Sequence, residues 1–242
     1  MKTRTHLTVM AILSGAALAA PVLAADTVEM KFVGTGAGRQ VKINFNGVDQ
    51  DVFAGELQHQ FRNGTGAAAG FSAVRTTWCI DLSQHVSSDW HTFTLGKVAE
   101  RPPVPVLGMA KEVALREVLS MHDGIAFRGE ASNDMAAAFQ LALWEIITDF
   151  DPEVGAASLD LSQGDFKATK TNGSPLAEAV MSDIFSMFDR IGSRDIMPGV
   201  VALFSDRKQD QITVIPVPLP TAGALALAGL LTAGAIRRRP SA

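Results

Sequence analysis

Tyrosine is missing from this chain of 242 residues, and cysteine occurs once. Nothing in the pattern accounts for the first absence. The second excludes an intrachain disulfide and the paired-cysteine spacings of structural zinc sites. The five histidines are scattered without ligand spacing, so no metal site is expected. Acidic residues outnumber basic ones, 25 against 21, for a net charge of −4, which leaves no basic field for nucleic acid. No internal repeat and no long linker divides the chain. No cofactor motif stands out either. The Gly34-x-Gly36-x-Gly38 segment joins two alternating strand patterns and opens no helix, so it reads as a hairpin connection rather than a nucleotide loop.

The two ends carry addresses. Lys2, Arg4 and His6 form a basic head, Leu7 to Ala20 an apolar run, and Val22-Leu23-Ala24 a small-residue cleavage site. This is the order of a secretory signal peptide, expected over residues 1–24. At the other end, Val217-Pro218-Leu219-Pro220 leads into the uncharged stretch Thr221 to Ile236, and Arg237-Arg238-Arg239 follows at once. The apolar stretch is roughly 16 residues, short of the ~20 of a standard spanning helix but able to enter a thinned bilayer. The arginines would stay cytoplasmic and leave everything upstream outside. Residues 216–242 resemble the PEP-CTERM class of sorting signals, in the variant whose motif reads Val-Pro-Leu-Pro. The resemblance implies an exosortase-type sorting enzyme as partner, a membrane-held intermediate, and delivery to the surface or matrix of a Gram-negative bacterium. A plain C-terminal anchor predicts the same orientation without processing.

Between the tails, residues 25–215 suffice for one domain with a substantial core. Val28, Met30 and Phe32 alternate with polar residues, as do Val41, Ile43 and Phe45, and Asn46-Gly47 is a favoured hairpin turn. Val52 to Phe61 and Gly70 to Leu82 read as further strands. After Pro102-Pro103-Val104-Pro105 the pattern turns helical. Helices are expected over Met109–Met121, over Met135–Asp149 behind the capping side chains of Ser132, Asn133 and Asp134, and from Pro175 to Arg190. Val200–Phe204 and Gln211–Ile215 return to strands. The expected class is α+β, a β-rich barrel or sandwich with a small helical subdomain.

The candidate chemistry lies at two points. Cys79 stands in Trp78-Cys79-Ile80-Asp81, and Gln140 stands in Phe139-Gln140-Leu141-Ala142-Leu143-Trp144 on a helix apolar nearly all the way round. A glutamine in such company needs partners for two donors and an acceptor. It can bond to strand backbone, or a cysteine thiolate can attack its amide carbon and expel ammonia. A buried free cysteine beside a core helix is the plain alternative, because free cysteine is among the most buried residue types.

The paired motifs resemble the bacterial surface thioester domain. The resemblance implies a Cys79–Gln140 internal thioester that couples to amines or hydroxyls on a target surface, with Trp78, Asp81, Phe139 and Trp144 as motif positions. Such a bond needs shielding from water, for which Trp78 and Trp144 are the natural candidates, although a plain core role fits both tryptophans equally. Phe139 stands where Gram-positive adhesins carry threonine. Two other functions stay open: a non-reactive envelope or matrix protein, structural or polysaccharide-associated, and a thiol hydrolase using Cys79 with His85, His91 or His122. The acidic Asp149, Asp151 and Glu153 read as a solvated loop before a weak calcium site.

Overall fold

The computed structural model describes residues 25–101 and 106–215. The expected signal peptide, the Pro102–Pro105 break and the sorting tail with Val217–Pro220 and Arg237–Arg239 lie outside the described residues.

The described residues form an α+β fold, with seven antiparallel strands and four helices among them. Strand β1 (Thr27–Phe45) turns at Asn46-Gly47 into β2 (Val48–Arg62). Both turn residues have positive φ, 51° and 83°, as a two-residue hairpin between right-twisted strands requires. The glycine-rich stretch differs from expectation. It is no hairpin connection but the bent middle of β1, with register shifts at Phe32/Gly34 and Thr35/Gly38. Gly38 faces Gly55 there, and a Cβ on Gly55 would meet Ala37 O at 2.3 Å. The close approach of the two backbones is what the glycines permit.

Strands β3 (Ala73–Cys79) and β4 (His91–Gly96) follow, then α1 (Met109–Leu119), the single turn α2 (Met121–Gly124), α3 (Asn133–Asp149), β5 (Phe166–Lys170), α4 (Glu178–Phe188), β6 (Val200–Phe204) and β7 (Gln211–Val214). The hydrogen-bonded order is β2-β3-β7-β6-β4-β1-β5, and β1 also pairs with β2, so six of the strands form a closed ring of pairings. Helix α4 begins later than expected, because Pro175–Ala177 stay extended ahead of it. Among the described residues, no helix is long and apolar enough to cross a membrane.

Helix α3 is the centre of the core. Every residue from Ala136 to Ile146 is buried, which an all-round apolar helix requires. It packs against β1, β2, β3 and β5 and against α1 and α4. Both ends are fixed. Ser132 Oγ accepts from Met135 N at 3.1 Å as the N-cap, Asn133 Oδ1 accepts from Gly38 N at 3.2 Å, and Asp134 pairs with Arg39 at 2.7 Å. The β1 bend is thereby tied to the helix start. At the other end, Lys111 Nζ of α1 donates to the Ile147 and Thr148 carbonyls at 2.9 and 3.0 Å. Asp149 accepts from Asp165 N and Phe166 N, and Asp151 from Glu153 N, so these carboxylates serve their own loop.

Candidate functional site

Two pairs of sequence neighbours dock on each other where α3 crosses the end of β3. Trp78 sits against Phe139, ring centroids 5.8 Å apart, and Cys79 sits against Gln140. The β2–β3 ladder stops at Leu57–Thr77. Beyond it, on the edge left without a strand partner, the Gln140 side chain takes over the hydrogen bonding. Cys79 N donates to Gln140 Oε1 at 3.0 Å, and Gln140 Nε2 donates to Cys79 O at 2.8 Å. The amide group thus acts as one more peptide unit of the sheet. Gln140 is 1% exposed and Cys79 2%, so these bonds are made out of water, where an unpaired partner is costly.

The sulfur has its own partners. Cys79 Sγ donates to Asp81 O at 3.2 Å and receives Asp81 N at 3.4 Å, a tight turn closed through the side chain. Burial pushes the thiol up to about 12, opposed first by the Trp144 indole N–H and then by the Asp81 main chain. Cys79 and Trp144 share the wall of an open pocket of about 310 Å³ with Phe53, Leu82, Gln84 and His85. Trp144 lies one helical turn after Gln140, which puts both side chains on the same face of α3.

The Asp of Cys-Ile-Asp is a buried anchor. Its carboxylate accepts from Ser83 N at 2.8 Å and Ser83 Oγ at 2.6 Å, and lies 3.5 Å from Arg101. Arg101 in turn lies 3.8 Å from Asp210, whose main-chain carbonyl receives Ile80 N. Burial pushes Asp210 up to about 6, with the Ser205 N–H and Arg101 opposing the shift and Asp81 adding to it. One cation therefore faces two buried carboxylates on either side of the cysteine turn. Neither Arg101 nor Asp210 carries a sequence signal: they meet Asp81 only through the fold.

The remaining candidates separate. Trp78 is fully buried on the core side, its Nε1 donating to Ala126 O at 3.0 Å, and it does not line the pocket. His91 Nε2 lies 3.0 Å from Ser87 Oγ. His85 lines the pocket without a hydrogen bond to the sulfur, and His122 sits at φ 49° in the α2 turn. A histidine the sequence did not single out, His59, is buried on β2, with Nδ1 2.8 Å from Thr77 Oγ1, and burial lowers it to about 4. Among the described residues, no cluster of three His, Cys, Asp or Glu side chains is arranged to hold a metal. No family model, curated protein or solved structure matches the chain.

Proposed function

We propose that this is an exported surface protein in which Cys79 and Gln140 join as an internal thioester, held for covalent attachment to an amine or hydroxyl on a surface or matrix target. The reading includes a barrel-like β domain with a helical subdomain, a signal peptide over residues 1–24, and a tail over 216–242 handled by an exosortase-type enzyme of a Gram-negative cell.

The observation that carries it is the seat of the Gln140 amide on the cysteine's own main chain, beside a pocket. In the forming step the Sγ–Cδ bond is made, the Cδ–Nε2 bond breaks, and the thiol proton leaves with the nitrogen as ammonia. Negative charge collects on Oε1 during the attack, and the Cys79 N–H already donates there. In the coupling step a target amine attacks Cδ, the Cδ–Sγ bond breaks, and the sulfur recovers a proton as thiol. An amine yields a stable amide and a hydroxyl an ester.

A second reading has its own support. The Gln140 amide is satisfied as it stands, and burial keeps the thiol protonated at neutral pH. On that reading the protein is a non-reactive envelope or matrix component with a buried free cysteine. Intact mass decides between them. A thioester makes the mature domain lighter by one ammonia, and methylamine adds across the bond, leaving the protein heavier than its sequence by one methylene. A mass equal to the sequence, with no amine adduct, rejects the thioester and leaves the second reading.

A further inference from the structure

Trp144 presents a buried indole N–H that faces the neutral Cys79 sulfur without closing a full hydrogen bond to it. Its side chain is almost wholly enclosed, its Nε1 has no hydrogen-bond partner, and it borders the same pocket as Cys79. The other core tryptophan, Trp78, spends its N–H on the Ala126 carbonyl. Buried N–H groups are nearly always paired, so an unpaired one beside a nucleophile calls for a partner that exists in another state of the site. The missing partner is at hand in the sulfur. A neutral thiol is a weak acceptor, whereas a thiolate is a strong one.

We propose that the Trp144 indole N–H is the donor that holds the Cys79 sulfur anion when the thioester is made or opened, beyond any role of the ring as a shield. This rests on the thioester reading. When the sulfur attacks Cδ it has already given up its proton, and when a nucleophile opens the bond it leaves with the electron pair of the broken Cδ–Sγ bond. In both steps the charge stands on Sγ inside an enclosed site. The Asp81 N–H at 3.4 Å supplies one donor, and Trp144 supplies the second. Trp144 keeps its proton throughout. The charged groups around the sulfur work against each other: Asp81 disfavours the anion and Arg101 favours it. Asp51 and His85 on the pocket wall complete the titratable surroundings.

The test separates a donor from a shield because the two roles predict opposite signs. Losing a shield admits reagent and speeds reaction. Losing a donor raises the thiol and slows it. In Trp144→Phe, which keeps a ring against Phe166, iodoacetamide should alkylate Cys79 along a pH profile shifted upward by about one unit, a tenfold smaller thiolate fraction at fixed pH. Methylamine opening of the thioester should slow by about 10-fold or more. The alkylation profile is measured on methylamine-opened protein, or on the protein as isolated if no thioester forms, so it reports on Trp144 whichever way the mass measurement falls. If Trp144→Phe does not fold, site-specific benzothienylalanine at the same position keeps the bicyclic shape and lacks the N–H. An unchanged or downward-shifted profile, or faster amine opening, overturns the proposal.

Discussion

Gln140 meets Cys79 through its main chain, with the amide spanning the cysteine N–H and C=O at 3.0 and 2.8 Å. Helix and sheet are thus joined by sheet-like bonds. Gln140→Ala and Cys79→Ala both preclude a thioester, yet only the first strips the two main-chain groups of their partners. Gln140→Ala should therefore be less stable than Cys79→Ala by about 2 kcal/mol, as two buried groups lose their bonds. Urea unfolding of the two variants side by side measures the difference. Equal stability means the amide contributes nothing to the ladder.

Arg101 neutralises Asp81 and Asp210 together. Arg101→Met leaves both carboxylates buried without their cation, and the expected loss is about 3 kcal/mol at pH 7. Asp210 already titrates at about 6, and losing the cation raises it further. The penalty should shrink as pH falls and Asp210 takes up a proton. Denaturant midpoints of wild type and variant, followed from pH 7.5 to about 5, should converge.

Glu145, next to Trp144 on α3, is fully buried. Asp160 N donates to its Oε1 at 2.7 Å, and Oε2 has no partner. Burial pushes its carboxyl up to about 8, with Asp149 and Asp160 adding to the shift and the Asp160 N–H opposing it. A carboxyl raised on folding binds its proton more tightly in the native state. Its contribution is complete below its ordinary value of 4.5 and is lost as pH rises through about 8. Thermal midpoints should decline over that window, and Glu145→Gln, which keeps the acceptor for Asp160 N, should flatten the decline. A slope unchanged by the substitution would show that Glu145 is ionised in the folded protein.

Glycines with positive φ should not respond alike. At Gly47, φ 83° in the hairpin turn, an added Cβ meets nothing within 4 Å, so Gly47→Ala carries only the conformational cost of about 1 kcal/mol. At Gly55 the Cβ runs into Ala37 O and the Gly38 Cα at 2.6 Å, so β1 and β2 must separate. Gly55→Ala should cost at least about 2 kcal/mol more than Gly47→Ala. Amide exchange along the Gly38–Gly55 ladder locates the opening.

Local chemistry was readable and long-range geometry was not. Asn46-Gly47 and the Ser132 cap fix their backbone within a few residues, and both elements lie where the pattern puts them. Gly34 to Gly38 misleads because glycine serves a turn and a bent strand equally well. β1 runs on because it pairs with β2 on both sides of the bend and is tied at Gly38 and Arg39 to Asn133 and Asp134, far along the chain. Strands β4 (HTFTLG) and β5 (FKATK) carry only two apolar residues each, too few to announce them, whereas the equally short β6 (VVALF) is apolar throughout. At the site, the two motifs do bring Cys79 to Gln140. The ion cluster of Asp81, Arg101 and Asp210, the buried His59, and the division of the tryptophans between core and pocket depend on tertiary contacts that no spacing encodes.

Strand β7 lies between β3 and β6 and is the last strand before the chain runs on to Pro216. Tension applied at Ile215 along the strand pulls β7 along its own axis. Its pairings, two residues with β3 and four with β6, then resist in shear together rather than peeling one after another. The neighbour on one side is the strand of Trp78 and Cys79, paired to Ile212 and Gln211. The Cys79 turn therefore stands directly beside that strand, and a force large enough to slide β7 would reach the cysteine before it reached the β1–β2 hairpin.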